Sequence, residues 1–159
     1  MTRVLKYVVT LSFLFYTGNI YAATYQASSC SYADVSAAVA LANAGDMVSV
    51  PAGSCDWGSN TLTVSKAINL TGTGGGSSAV CNGSTSTCIS GTSTLFIIAT
   101  PGTPQTFSLR LSGFYLSTTG ASNWGHIIDV TGAGSGWRID NNFLHHTYNQ
   151  NSVGKAIVS

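Results

Sequence analysis

The side chains that could do chemistry fall in one local group. Asp140, Asn141, Asn142, His145, His146 and Tyr148 lie close together, with Asp129 and Arg138 just before them. If Asp140 points outward and stacks near Asp129 and Arg138, the surface would suit sugar hydroxyls or a calcium ion held by oxygen ligands. Asp129, Arg138, Asp140 and His145 are therefore the candidate glycan or Ca²⁺ contacts. The competing interpretation is a hydrophilic turn with one internal Asn. His145 and His146 are adjacent and would face opposite ways on a strand, so no two-His metal site is expected. Arg110 and Arg138 share a repeat position and read as surface residues rather than catalytic bases.

No catalytic residue can be assigned. Glycoside chemistry commonly needs two carboxyls, one protonated and one ionised. The chain has five Asp and no Glu. Asp34 and Asp46 read as parts of a helix cap and its following turn, and Asp56 sits beside a cysteine. Trp57, Trp124 and Trp137 could stack on sugar rings if exposed, although buried packing is the commoner fate of such rings. The Thr-Ser-Thr triplets at 85–87 and 92–94 are too few for a regular ice-binding face.

These residues need elements to position them, and composition limits the choice. Only 7% of the 159 residues are charged, against about 25% in an average globular protein. A surface of hydroxyls and glycine suits a β-rich exported protein. The start fits export: Arg3 and Lys6 precede an apolar run over 7–16, with small residues at Ala22 and Ala23. The run is shorter than the roughly 20 residues of a membrane span. Residues 1–22 are thus expected to be a signal peptide cleaved after Ala22, leaving 23–159 secreted, periplasmic or at the cell surface. The remainder carries Lys66, Arg110, Arg138 and Lys155 against five Asp, a net charge of −1. It has no basic cluster for nucleic acid or for a membrane surface.

Cys30, Cys55, Cys81 and Cys88 form an even set in an exported chain, which indicates disulfides. Three pairings are open. Cys30–Cys55 with Cys81–Cys88 is preferred, the second closing a short Asn/Gly/Ser/Thr loop. No CxxC unit supports a zinc site.

One helix is expected at about 31–44. Ser31 would be its N-cap, Asp34 would lie in its first turn, and Val35, Ala38, Val39 and Ala42 would share a face. Gly45 would take the left-handed conformation after it. Short strands are expected at 47–50, 61–64, 68–71, 95–98, 107–112, 126–131, 136–140 and 156–158. The segment 110–116 (RLSGFYL) aligns with 138–144 (RIDNNFL) at an offset of 28, and 68–72 (INLTG) echoes its start. Repeats of this length signal a solenoid. Val48, Val50, Leu62, Val64, Ile68, Leu70, Leu109, Leu111, Val130 and Ile139 should line the interior. An antiparallel sandwich is the alternative, but it accounts for neither the single helix nor the echo.

The segment 30–74 resembles the N-terminus of the pectate-lyase-like right-handed parallel β-helix superfamily. The residues that carry this are 33–35 (ADV), 37–39 (AAV), 45–48 (GDMV), 50–53 (VPAG), 55–57 (CDW) and 68–74 (INLTGTG). The resemblance implies an all-β solenoid whose first coil is plugged by an amphipathic helix, with Asn142 at an inward turn position. It also implies an extracellular polysaccharide lyase or glycoside hydrolase, monomeric and acting on polysaccharide. The lyase would require Ca²⁺ in the full-length protein. A non-catalytic adhesin or glycan-binding module is the other expectation, since the fold serves both. Residues 156–159 end in what reads as a fresh strand, so the chain is expected to be truncated at its C-terminus, with any active cleft in later coils.

Overall fold

A computed structural model describes residues 22–74, 80–103, 106–119 and 126–146, and the backbone of 155–158. The chain begins with strand β1 (Thr24–Gln26) and helix α1 (Tyr32–Leu41). Twelve strands follow: β2 (Met47–Ser49), β3 (Gly53–Asp56), β4 (Leu62–Val64), β5 (Asn69–Thr71), β6 (Thr87–Gly91), β7 (Phe96–Ala99), β8 (Arg110–Ser112), β9 (Phe114–Thr118), β10 (His126–Thr131), β11 (Arg138–Asp140), β12 (Phe143–His146) and β13 (Lys155–Val158).

The strands form three sheets in the orders β1-β2-β5-β8-β11, β3-β6-β9-β12 and β4-β7-β10-β13. The chain therefore visits the first, second and third sheet in the same order four times. Each strand pairs, always in parallel, with the strand one round earlier. This is a stack of parallel sheets consistent with a parallel β-helix, and it rules out the antiparallel sandwich. The echo between 110–116 and 138–144 is one such step, with Arg138 opposite Arg110 and Phe143 opposite Tyr115.

The inward side chains of all three sheets form one hydrophobic cluster. Nine of the ten expected interior residues are buried, and Ile139 is half-buried on the edge strand β11. Aromatic rings run through this interior from round to round. Tyr32 meets Trp57 edge-on at 5.5 Å, Trp57 meets Phe96 at 5.2 Å, and Phe96 meets Phe114 at 5.8 Å. Trp57 is buried, and its indole N–H donates to the Cys30 carbonyl at 2.9 Å.

The helix packs on β1 and β4, at the start of the stack, with Val35, Ala38, Val39 and Ala42 buried. The Ser31 hydroxyl caps it by accepting the Asp34 N–H at 3.2 Å. It ends at Leu41, earlier than expected. The Lys66 ammonium donates to the carbonyls of Val39, Ala40 and Ala42 at 3.1, 2.8 and 2.7 Å, and so satisfies the last turn. Gly45 does take a positive φ of 92°, but in the turn into β2 rather than at the helix cap.

Both preferred disulfides are present, Cys30–Cys55 and Cys81–Cys88. They fit an oxidising compartment. Among the described residues no helix is long and apolar enough to cross a membrane.

Four strands went unread in the sequence, β3, β6, β9 and β12, which together make the second sheet. β3 begins inside what looked like a turn at 51–53, and β6 lies where a disulfide loop was expected to give way to later strands. Ser54 and Asp56 of β3 point outward and only Cys55 offers an apolar inward side chain, so there is little hydrophobic alternation to detect.

Candidate functional site

The four candidate contacts lie on three different sheets. Asp129 is on β10 in the third sheet, opposite Ile97 and Val158. Arg138 and Asp140 are on β11 in the first sheet, and His145 is on β12 in the second. Only Arg138 and Asp140 come together, and Arg110 joins them.

Register explains this trio. Asn69, Arg110 and Arg138 form one outward row on the first sheet, and Thr71, Ser112 and Asp140 form the next. Strands about 4.8 Å apart put each Arg within reach of the same carboxylate. Arg110 grips Asp140 with two bonds, Nε to Oδ1 at 2.8 Å and Nη2 to Oδ2 at 3.1 Å. Arg138 Nη2 lies 2.7 Å from Oδ2.

The electrostatics of the trio work against catalysis. The Arg110 hydrogen bonds hold the Asp140 carboxyl below the usual carboxylate range, and Asp140 in turn raises Arg110. A general acid needs a raised carboxyl and a general base a lowered cation; each group has moved the other way. Both Asp140 oxygens are already taken, so a calcium ion would have to displace guanidinium. The trio is a structural clasp with one cation in excess.

Backbone alternation separates the two histidines, as their adjacency predicts. His145 is exposed opposite Ser117. His146 turns toward the core, where its Nδ1 lies 2.7 Å from the buried Thr118 hydroxyl. Among the described residues no three His, Cys, Asp or Glu side chains gather to hold a metal.

Of the three tryptophans, Trp57 is buried, Trp137 packs half-buried against the core, and Trp124 lies outside the described residues, as does Tyr148.

The second sheet presents the more receptive surface. Its outward positions form two rows: Ser54, Cys88, Tyr115 and Phe143, then Asp56, Ser90, Ser117 and His145. Tyr115 and Phe143 stack at 5.0 Å with their planes 13° apart. Beside Tyr115 is a depression of about 180 Å³, lined by Ser54, Ser90, Ser117, Ile89, Tyr115 and both cysteines of the Cys81–Cys88 disulfide. Sequence reasoning missed this face. A signal was present, since the echo places an aromatic residue at the same outward position in successive rounds. It is legible only once the register shows which positions face out.

Ser117 and His145 are register neighbours of the types used in nucleophilic hydrolysis, yet no hydrogen bond joins them, so no nucleophile–base pair is formed. The arrangement offers an aromatic stack beside hydroxyl groups. No protein-family model, curated protein or solved structure matches this chain.

Proposed function

We propose that this chain is part of an exported, right-handed parallel β-helix of the pectate-lyase-like kind, and that it binds polysaccharide on the outside of its sheets. Residues 1–22 would direct export and be removed after Ala22. Right-handed winding is supported by the general preference of parallel crossovers, about 98% of which are right-handed. The observation that carries the binding reading is the outer face of the second sheet, where a stacked aromatic pair adjoins rows of hydroxyls. Sugars present apolar ring faces and many hydroxyls, and such a surface answers both.

Affinity electrophoresis of the secreted protein through gels containing soluble polysaccharides tests this. Retardation by at least one glycan, without shortening of that glycan, is expected. Free migration in every neutral and acidic glycan would remove the proposal.

A polysaccharide lyase or hydrolase is the second reading, favoured by the resemblance of 30–74 to the superfamily's cap and first coil. Its catalytic groups, and any Ca²⁺ the lyase requires, would then lie outside the described residues. Release of unsaturated uronate with Ca²⁺, or of reducing ends without it, would establish it.

A further inference from the structure

The depression on the second sheet has a character that narrows its ligand. Its floor carries the hydroxyls of Ser54, Ser90 and Ser117, none of which has a protein hydrogen-bond partner among the described residues. One wall is the Cys81–Cys88 disulfide and another is the Tyr115 ring, which is held from behind by Phe143. At about 180 Å³ it is smaller than the roughly 300 Å³ at which sites for whole small molecules begin. It has room for one ring of a longer chain.

Charge decides which ring. Strands β3, β6, β9 and β12 contain no Lys or Arg, and the 82–86 turn beside the disulfide has none either. The nearest ionised side chain in the register is an acid, Asp56, on the row shared by Ser90 and Ser117. Lys66 is committed to the helix carbonyls, and Arg110 and Arg138 to Asp140 on another sheet. A uronate seated here would lose water from its carboxylate with no Lys or Arg on these strands or on the 82–86 turn to replace it, beside a like charge. An uncharged pyranose meets no such penalty.

We infer that this depression is a subsite for one uncharged pyranose of a neutral polysaccharide, with Tyr115 as the stacking wall and Ser54, Ser90 and Ser117 as hydrogen-bonding groups. The inference rests on the glycan-binding reading and specifies its ligand and place. The subsite opens onto rows that run across successive strands. An extended chain lying along those rows would place a neighbouring sugar over Phe143 and His145.

The test is affinity electrophoresis and calorimetry of the secreted protein with soluble glucans, xylans and mannans, against polygalacturonate with and without Ca²⁺. At least one neutral glycan should bind ten times or more tighter than polygalacturonate. Tyr115→Ala should weaken that binding at least tenfold. Ser90→Arg, at an exposed position that leaves the core untouched, should abolish it by filling the depression, with an unchanged circular dichroism spectrum as its folding control. Polygalacturonate binding as tightly as the best neutral glycan, or more tightly, overturns the inference and leaves the glycan-binding reading standing. Neutral binding that survives Ser90→Arg in a folded protein overturns the subsite. Binding to no glycan at all removes both.

Discussion

Asn142 and Phe114 occupy the same corner in successive rounds, and the Asn142 side chain ties the two together. Its Oδ1 accepts the Phe114 N–H at 3.0 Å, and its Nδ2 donates to the Leu111 carbonyl at 2.9 Å. The neighbouring Asn141 has a φ of 53° and Gly113, its counterpart one round earlier, 83°. A side chain at Gly113 would collide with the Gly72 backbone, whereas Asn tolerates this conformation in the last round. Asn142→Ala leaves one donor and one acceptor unsatisfied, at about 1–3 kcal/mol for a buried group. These groups are half-buried, so a loss of about 2 kcal/mol is expected. Urea unfolding checks it, and a change under 0.5 kcal/mol, about the scatter of surface substitutions, would remove this bridge from the account.

The Cys30–Cys55 bridge and Trp57 hold the helix end of the molecule together. The bridge closes a separation of 25 residues, for which chain entropy gives roughly 3.5 kcal/mol. Trp57, buried between Tyr32 and Phe96, should cost about 3–5 kcal/mol when cut to Ala. Because Trp57 also bonds the Cys30 carbonyl, the two changes should not be additive. Denaturant midpoints of Trp57→Ala, Cys30→Ala/Cys55→Ala and the triple variant test the coupling. Strict additivity would mean that cap and first round are held independently.

Much of the fold was legible because parallel stacking repeats its demands. Leu70 and Leu111 meet in register one round apart, and each sits in a short run bounded by Gly or a turn. The β3 and β6 strands were not legible, because Ser54, Asp56 and Ser90 face water and carry no hydrophobic period. The candidate contacts lie apart for a related reason. Asp129, Arg138 and His145 are near in sequence, but each corner of a round sends the next strand to a different sheet. Proximity on this surface runs across rounds, so Arg110 meets Asp140 thirty residues later, and Tyr115 meets Phe143.

Asp46 joins the start of the described chain to the turn after the helix. Its Oδ2 accepts the Asn43 N–H at 2.7 Å and its Oδ1 the Ala23 N–H at 2.8 Å. These bonds, Asn43 foremost, hold its carboxyl below its ordinary value of 3.8. A lowered folded value means the carboxylate's stabilisation is present above pH 3.8 and is lost as pH falls below it toward the folded value. Asp46→Asn should therefore lower the melting midpoint at pH 6 and flatten its fall between pH 4 and 2. If the signal is removed after Ala22, the Ala23 donor becomes an ammonium group and the bond is charge-assisted. The mature protein should then lose more on Asp46→Asn than a chain that keeps residues before Ala23. Equal losses, with Ala23 shown to be the N-terminus by mass spectrometry, would count against that ion pair.

The Arg110–Asp140–Arg138 clasp makes the last prediction, because its carboxylate neutralises one of the two positive charges on the strands of the first sheet. Asp140 accepts from both guanidinium groups, which lie on adjacent strands. Asp140→Asn leaves two exposed cations side by side with nothing between them. Their mutual repulsion should loosen both side chains, and the local charge should rise from one excess cation to two. Affinity for a polyanion follows such a charge, weakening as salt rises. The variant should elute from a polygalacturonate column at higher salt than the parent, and Arg138→Ala in the same background should reverse the shift. Neutral-glycan binding on the second sheet should change by less than twofold, since that face shares no residue with the clasp. If Asp140→Asn altered neutral binding instead and left polyanion elution unchanged, the assignment of separate roles to the two faces would fall.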